Sequence, residues 1–509
     1  MVDDGQSNGP GPAPRLGPWL TGAVALTAVA FAIGWVIQGQ DSGATADDVP
    51  PSEGTATPGG AASTQAGPET IADIFPDENL ATCVAEHIGI ATHQPVTDVD
   101  LATADSGPEY LSEARREQLS DANEGEEVGP VLACDAGIVE DLTGLERLDH
   151  IEVLSLDHLQ DVDLDPIADL SELRHLILPS CQVSDLAPVG AVEGLRSFIV
   201  PDASLDDLGD LAGLTELRHV EAENTSITSF EGLEDATQLV HLHARGTEVE
   251  DLSSLEGHDQ LDTVALPDTD IESIAPLADA TGLRVLNVAD TPVSDLSVVA
   301  EMTELELLFV HGTPVEDITA LDGLEALSEV DLYGTDVSDL SPLSGAPALV
   351  ELDIGDTPVA DLSPLADATS LDALWADDSQ VADVSPLAGL TNITRLAVDG
   401  TNTSDISVLS GLTDLTALEI DRTSITDFSV LWAFHKLEWL NVSETAVTDI
   451  AFAAEMSNLE VLRMEETAVT DVSPLAELSS LELLALGGSD VSDTSVLDPL
   501  TEDRLEIDD

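Results

Sequence analysis

A unit of 22 residues, restarted again and again, leaves this chain little choice of architecture. Leu or Ile opens a unit at 173, 195, 217 and 239, and the step runs without slippage to 459 and 481. A period of this length marks a solenoid, because one unit cannot bury its apolar face alone and must stack on the next. In the unit 327–348 the first, fourth and sixth positions are Leu327, Val330 and Leu332, the alternation of a short strand whose other side chains face outward. Each coil therefore adds one strand to a parallel sheet.

The ninth position is Thr or Ser in coil after coil, from Thr269 through Thr335 to Ser489. A buried hydroxyl there can bond the backbone of adjacent coils, so the column reads as an internal hydrogen-bond ladder. Asp follows at position thirteen, then often Ser-Pro-Leu, as in Asp339, Ser341, Pro342 and Leu343. Ser before Pro signals an N-cap with proline at the first helical position. Too few residues remain for an α-helix, so short 3₁₀ turns are expected on the convex side.

With this Ser-Pro-Leu element and the 22-residue step, the chain resembles the internalin-like leucine-rich repeat family. Phe75 to Leu80, followed by Val84, His87, Ile88 and Gly89, is similar to the helical cap that precedes such repeats, and Asp141 to Leu145 to their first coil. The resemblance implies a leucine-rich-repeat solenoid, an α/β-type arc with a parallel β-sheet on its concave face, short turns on its convex face and a helical N-terminal cap. It also implies an adhesion or recognition role, and it is silent about the ligand. The Thr column and an insertion between Asp105 and Gly129 are departures from the family pattern.

The 14 basic side chains face 101 acidic ones, a formal net charge of -87, and Lys436 is the only lysine. Phosphate contacts need clustered cations, so a general nucleic-acid binder is excluded. Disorder is not implied, since 43% of the residues are hydrophobic and fall on a strict period. So acidic a coat should gain stability from salt or divalent cations. The position-thirteen column, Asp295 to Asp471, could collect Ca²⁺ or simply cap the backbone of the following turn. Cys83 in the cap and Cys134 at the inward sixth position of the first coil could meet as a disulfide or remain two small buried thiols, while Cys181 stands in for Thr in the column.

Residues 1–15 form a short polar N-terminus, and 16–40 carry no charge. At about 1.5 Å per residue such a run can cross a ~30 Å hydrocarbon core. Arg15 before it, Asp41 after it, and Trp19 and Trp35 near its ends fit a signal-anchor with the N-terminus inside and the repeats extracytoplasmic. Cleavage near Ala46, giving a secreted protein, is the competing expectation. Residues 41–68 read as a disordered linker, 69–128 as the cap with its polar insertion, 129–503 as about 17 coils and 504–509 as an acidic tail over the last one.

Positions two, three, five and seven of a coil should line the concave face. Near its N-terminal end Arg174, Arg196 and Arg218 share position two and His175, His219 and His241 share position three, with His243 and Arg245 beside them. This patch reads as a docking site for an acidic partner, or as cations that relieve Glu216, Glu221 and Glu223. His219, His241 and His243 also suit Zn²⁺, yet no supporting shell is legible, and neither a metal site nor a cofactor is assigned. Farther along, Phe309, Tyr333, Trp375 and Trp439 fall on outward positions in a chain with 3% aromatics, and read as anchors for a protein or a glycan.

The sequence contains no HExxH, G-x-S-x-G, phosphate-loop or CxxC motif, so no enzyme is expected. The expected function is that of a membrane-anchored, cell-surface binding or adhesion module whose concave face takes a protein or glycan. An acidic, cation-dependent envelope component without a dedicated partner is the alternative, and a metal-dependent hydrolase on the three histidines the remote one. A repeat array carries no mark of its oligomeric state.

Overall fold

The computed structural model describes residues 68–509 apart from 108–109, 112–114, 117–118, 120–121, 124–127, 135–136, 161, 184, 502–504 and 509. The expected membrane segment 16–40 and the linker up to residue 67 lie outside the described residues. Among the described residues no helix is long and apolar enough to cross a membrane.

The described residues form one sheet of 18 strands, all parallel to their neighbours. It begins with β1 (Val131–Cys134), β2 (Val153–Leu156), β3 (His175–Ile177), β4 (Ser197–Ile199), β5 (His219–Glu221), β6 (His241–His243), β7 (Thr263–Ala265) and β8 (Val285–Asn287). It continues with β9 (Leu307–Phe309), β10 (Glu329–Asp331), β11 (Glu351–Asp353), β12 (Ala373–Trp375), β13 (Arg395–Ala397), β14 (Ala417–Glu419), β15 (Trp439–Asn441), β16 (Val461–Arg463), β17 (Leu483–Ala485) and β18 (Glu506–Asp508). The register follows the repeat: Val330 lies opposite Leu352, and Leu352 opposite Leu374. In the central coil Leu327, Val330, Leu332, Val337, Leu340 and Leu343 are all at most 1% exposed. At about 1.5–3 kcal/mol for each fully buried aliphatic side chain, these inward positions supply the cohesion of the array, coil upon coil.

The Thr column is internal but does not cross between coils. Thr335 Oγ1 donates to the Leu332 carbonyl of its own coil (2.7 Å), and Thr357 repeats this with Ile354 (2.6 Å). The reason is local: the strand has just ended, its sixth-position carbonyl needs a donor, and the hydroxyl three residues on is the nearest one. Cys181 is the exception that does reach across, its Sγ lying 3.4 Å from the Leu156 carbonyl of the preceding coil.

The turn into the convex segment also differs from the expected Ser cap. Ser341 is the first residue of a 3₁₀ turn, Ser341–Leu343, and the carboxylate of Asp339 accepts its N–H at 2.8 Å. Asp361 accepts both the N–H (2.8 Å) and the hydroxyl (2.9 Å) of Ser363. An ionised acceptor two residues upstream outcompetes the neutral hydroxyl, so the Asp column caps the turns. Position eight, which the repeat pattern did not flag, must adopt the left-handed region to leave each strand. Gly334 does so freely, whereas Asp378, Arg422 and Glu444 sit there at φ of 52°, 52° and 54°.

Both ends of the sheet depart from the repeat. The cap comprises α1 (Ile71–Ile74), α2 (Glu78–Ile88) and α3 (Asp98–Leu101). Asp77 caps α2 by accepting from Asn79 N and Leu80 N, and Gly89 ends it at φ 77°. Its buried face, including Leu80 and Val84, joins the common core, and a disulfide between Cys83 and Cys134 ties it to β1. The open edge of β1 is satisfied by the insertion: Val131 N donates to Asp105 Oδ1 (3.0 Å) and Ala133 N to Ser106 Oγ (3.1 Å). At the other end the acidic tail is itself a strand, β18, with Leu505 buried. A short helix at Asp498–Thr501 throws this last strand off the 22-residue step, which is why the repeat hid it.

Candidate binding face

The insertion decides which part of the concave face is open. Its Leu111 and Leu119 form a small second core with Val131, Val153, Ile177 and Ile199, side chains that β1 to β4 turn away from the main core. Over this cluster Asn123 Oδ1 accepts from His175 Nε2 (3.0 Å) and Arg196 Nη1 (3.2 Å). Arg115 closes on Glu221 through two bonds of 2.7 and 3.3 Å.

Two members of the expected basic docking patch, His175 and Arg196, therefore serve as an internal seat for the insertion. His175 is fully buried, its Nδ1 accepts from Ser197 Oγ at 2.8 Å, and burial together with Arg196 holds its pKa down to about 3. His219 is 2% exposed. Arg174 and Arg218 are half-buried at the edge, as are His241 and His243, and Arg245 is exposed beside Asp268 at 3.3 Å. Glu221 is taken by Arg115 rather than by the patch arginines, a pairing 106 residues apart that no repeat argument reaches. The trace of the cover was nonetheless present: each of the first four strands carries an apolar residue at its third or fifth position, Val131, Val153, Ile177 and Ile199, and an apolar outward row needs something to bury it.

Past the insertion the aromatic row is only partly available. Phe309 occupies the outward fifth position of β9 but is 7% exposed, walled in by its strand partners Asn287 and Asp331 and by neighbouring side chains. Tyr333, Trp375 and Trp439 are half-buried. The Arg395 guanidinium stacks over Trp375 at 5.6 Å and is itself held by Glu351 (2.8 Å) and Asp372 (3.0 Å). Trp375 thus sits in a fixed frame across β11 to β13. Trp439 Nε1 is buried without a hydrogen-bond partner. An aromatic the repeat argument missed, Trp432, is 48% exposed on the convex turn Ser429–Ala433.

Around the aromatics the face is acidic. Asp399, Glu419 and Asp421 bring carboxylate oxygens within 4.8 Å of one another, and Arg422 reaches Asp399 (2.7 Å), Asp421 (3.2 Å) and Asp378 (2.7 Å). One guanidinium does not balance the group. Burial and repulsion from Asp421 push Asp399 up to about 8 and Glu419 up to about 7. On β10, burial and Glu351 push Glu329 up to about 7. Asp421 Oδ1 is buried with no hydrogen-bond partner. These groups hold protons that a positive ligand would displace.

No family model and no curated protein matches this chain. Solved structures do match in shape. A leucine-rich repeat protein of Leptospira interrogans has 16% identity and a TM-score of 0.65, over 73% of this chain and 100% of that one. The functional domain of InlJ from Listeria monocytogenes, which includes a cysteine ladder, has 19% identity and a TM-score of 0.57 over 83% of each chain. The plant peptide hormone receptor RGFR1, in complex with RGF2, has 14% identity and a TM-score of 0.58, over 71% of this chain and 66% of that one. Likeness at these identities is likeness of fold, and the fold is the leucine-rich-repeat solenoid.

Proposed function

We propose that this chain is a protein-binding leucine-rich-repeat module that takes an extended, positively charged segment of a partner along the concave face between β9 and β16, held on the outer side of a membrane by residues 16–40. The observation that carries the reading is Trp375, half-buried and braced by Arg395 beyond the reach of the insertion. A rigid aromatic in a fixed frame is a favoured anchor, and the crowded carboxylates beside it gain from a ligand's cations. The sign of the proposed partner is opposite to that expected from the arginine and histidine column, since the insertion already engages His175 and Arg196 while the carboxylates around Trp375 lie clear of it.

The test is display of random peptides against the purified full-length chain in detergent. Peptides rich in Lys and Arg should be enriched, and Trp375→Ala should weaken their binding by roughly 30-fold or more, as for a buried hot spot. Trp432→Ala on the convex side should leave binding unchanged. Enrichment of no peptide, or binding indifferent to Trp375→Ala, would favour the partnerless envelope component; capture of neutral glycans alone would move the ligand class to sugars.

The membrane half of the reading rests on the uncharged run 16–40, flanked by Arg15 and Asp41. The intact chain should remain with membranes through a high-salt wash, and deletion of 16–40 should release it. Recovery of the uncleaved, full-length chain in the soluble fraction would remove the anchor from the proposal.

A further inference from the structure

We propose that Asp399, Glu419 and Asp421 form a binding site for one Ca²⁺ ion at the C-terminal ends of β13 and β14. The repeat sets the frame. Asp399 and Asp421 hold position seven of consecutive coils, and Gly400 N donates to the Asp421 carbonyl at 2.9 Å, which stacks the two residues one strand apart. Glu419 precedes Asp421 by two residues, so the pleat turns it to the same side of the sheet. Its strand partners, Ala397 and Asn441, carry no charge to offset it. One oxygen from each of the three acids comes within 4.8 Å of the other two. Among the described residues no other three His, Cys, Asp or Glu side chains converge in this way, and the ring nitrogens of His219, His241 and His243 do not.

What points to an ion is an oxygen without a partner. Asp421 is 8% exposed, and its Oδ1 is buried with no hydrogen bond. Arg422 is the cation at hand, yet it directs its bonds to other oxygens: Asp421 Oδ2 (3.2 Å), Asp399 Oδ2 (2.7 Å) and both oxygens of Asp378 (2.7 and 3.2 Å). A buried carboxylate oxygen that accepts nothing costs stability, and a metal ion bonded to it removes that cost. The charge agrees. Three carboxylates less one guanidinium leave two negative charges, which one divalent ion balances. The donor set then selects the ion. All three donors are hard carboxylate oxygens, with no imidazole or thiolate among them, which favours Ca²⁺ or Mg²⁺ over transition metals. Ca²⁺ bonds oxygen at about 2.3–2.6 Å in flexible geometry, so ligands on opposite sides of it lie roughly 5 Å apart, whereas Mg²⁺ demands about 2.0–2.1 Å and a near-ideal octahedron. A span of up to 4.8 Å between groups fixed on neighbouring coils suits the larger ion. Asp399 and Asp421 are buried and Glu419 is half-buried, so the ion would enter from the concave side past Glu419.

The site needs no peptide, so it goes beyond the partner-binding reading and is tested apart from it. The experiment is equilibrium dialysis of the chelator-stripped full chain, in detergent, against radiolabelled Ca²⁺ with salt and excess Mg²⁺ present to suppress diffuse uptake by the acidic coat. One equivalent should bind saturably. Groups that merely support a ligand are worth about 10–100-fold in metal affinity, so Asp421→Asn and Glu419→Gln, which change ligands, should each weaken binding at least about 10-fold. Asp427→Asn, in the capping column of the convex turns, should leave the equivalent in place. The amides nearly keep the shape of the acids, so folding should survive, which circular dichroism checks. Thermal unfolding gives a second reading: Ca²⁺ should raise the midpoint of the parent above that in equal Mg²⁺, and should not do so for Asp421→Asn. The proposal is overturned by absence of saturable uptake, which would mean that a proton shared within the group does the ion's work, by an equivalent that Mg²⁺ displaces as well as Ca²⁺ does, or by uptake and stabilisation that persist in folded Asp421→Asn and Glu419→Gln proteins.

Discussion

Taking the pH from 8.5 down to 6 is expected to raise the thermal unfolding midpoint of this protein by about 3–5 °C, an unusual direction for a chain that is almost entirely acidic on its surface. On the convex surface Asp361, Asp383 and Asp427 are held below the usual carboxylate range by their serine partners. The groups shifted into this pH range are on the concave face, Asp399 at about 8, Glu329, Glu419 and Glu223 at about 7, and His311, whose burial is outweighed by Asp331 and Asp290, which raise it. Their folded values exceed those of the unfolded chain, so between roughly pH 5 and 8 the native state binds protons that the unfolded state releases. Stability is therefore greatest at the acidic end and falls as pH rises through 7 and 8. His175, His241 and His243 pull the other way, because they are neutral when folded and would take up protons on unfolding, but only as pH drops through about 6.5. Asp399→Asn should raise the midpoint at pH 8.5 and flatten the dependence, since the amide oxygen can still accept from Arg422. A midpoint constant from pH 6 to 8.5, or an Asp399→Asn protein with the parent's slope, would mean that these carboxylates are ionised throughout.

That concave chemistry was only half legible in the sequence, and the boundary has a physical cause. Whatever repeats is readable, because each inward position is filled fifteen or more times by the same kind of side chain. Val330, Leu352 and Leu374 declare the strand, and Asp339 and Asp361 the turn. Whatever occurs once is not. The insertion is polar in composition, and the few side chains that dock it, Leu111, Leu119, Asn123 and Arg115, follow no period. Position also tells which way a side chain points and not how crowded its surroundings are. Phe309 and Trp375 hold the same fifth position, yet Phe309 is buried and Trp375 is not, because their strand neighbours differ. The partners of His175 and Arg196 were hidden for the same reason: arginines and histidines stand in the repeat where they can be counted, and Asn123, which the insertion brings to these two, does not.

Leu119→Ala should show how far that single excursion controls the rest. Leu119 is fully buried in a cluster of only six buried side chains, so its truncation removes a large share of what holds the insertion down. A large-to-small change at such a site costs about 2–5 kcal/mol. In a solenoid the loss should stay near where it is made, because each coil leans only on its neighbours. Amide hydrogen exchange should therefore quicken in residues 105–129 and in β1 to β4 while β9 to β16 keep their protection. His175 supplies an independent reading. Burial and Arg196 now hold its pKa near about 3, and once Asn123 lifts away the ring should titrate close to its ordinary value of about 6.5, visible by NMR. If exchange instead rises evenly along the whole array and His175 stays silent, the insertion is not the local cover described above, and the N-terminal strands are dry for some other reason. If both local changes appear, the first four strands are a second stretch of concave face that the protein keeps closed. How much concave face is open in addition to β9–β16 is then set by how firmly Leu111 and Leu119 hold the insertion down.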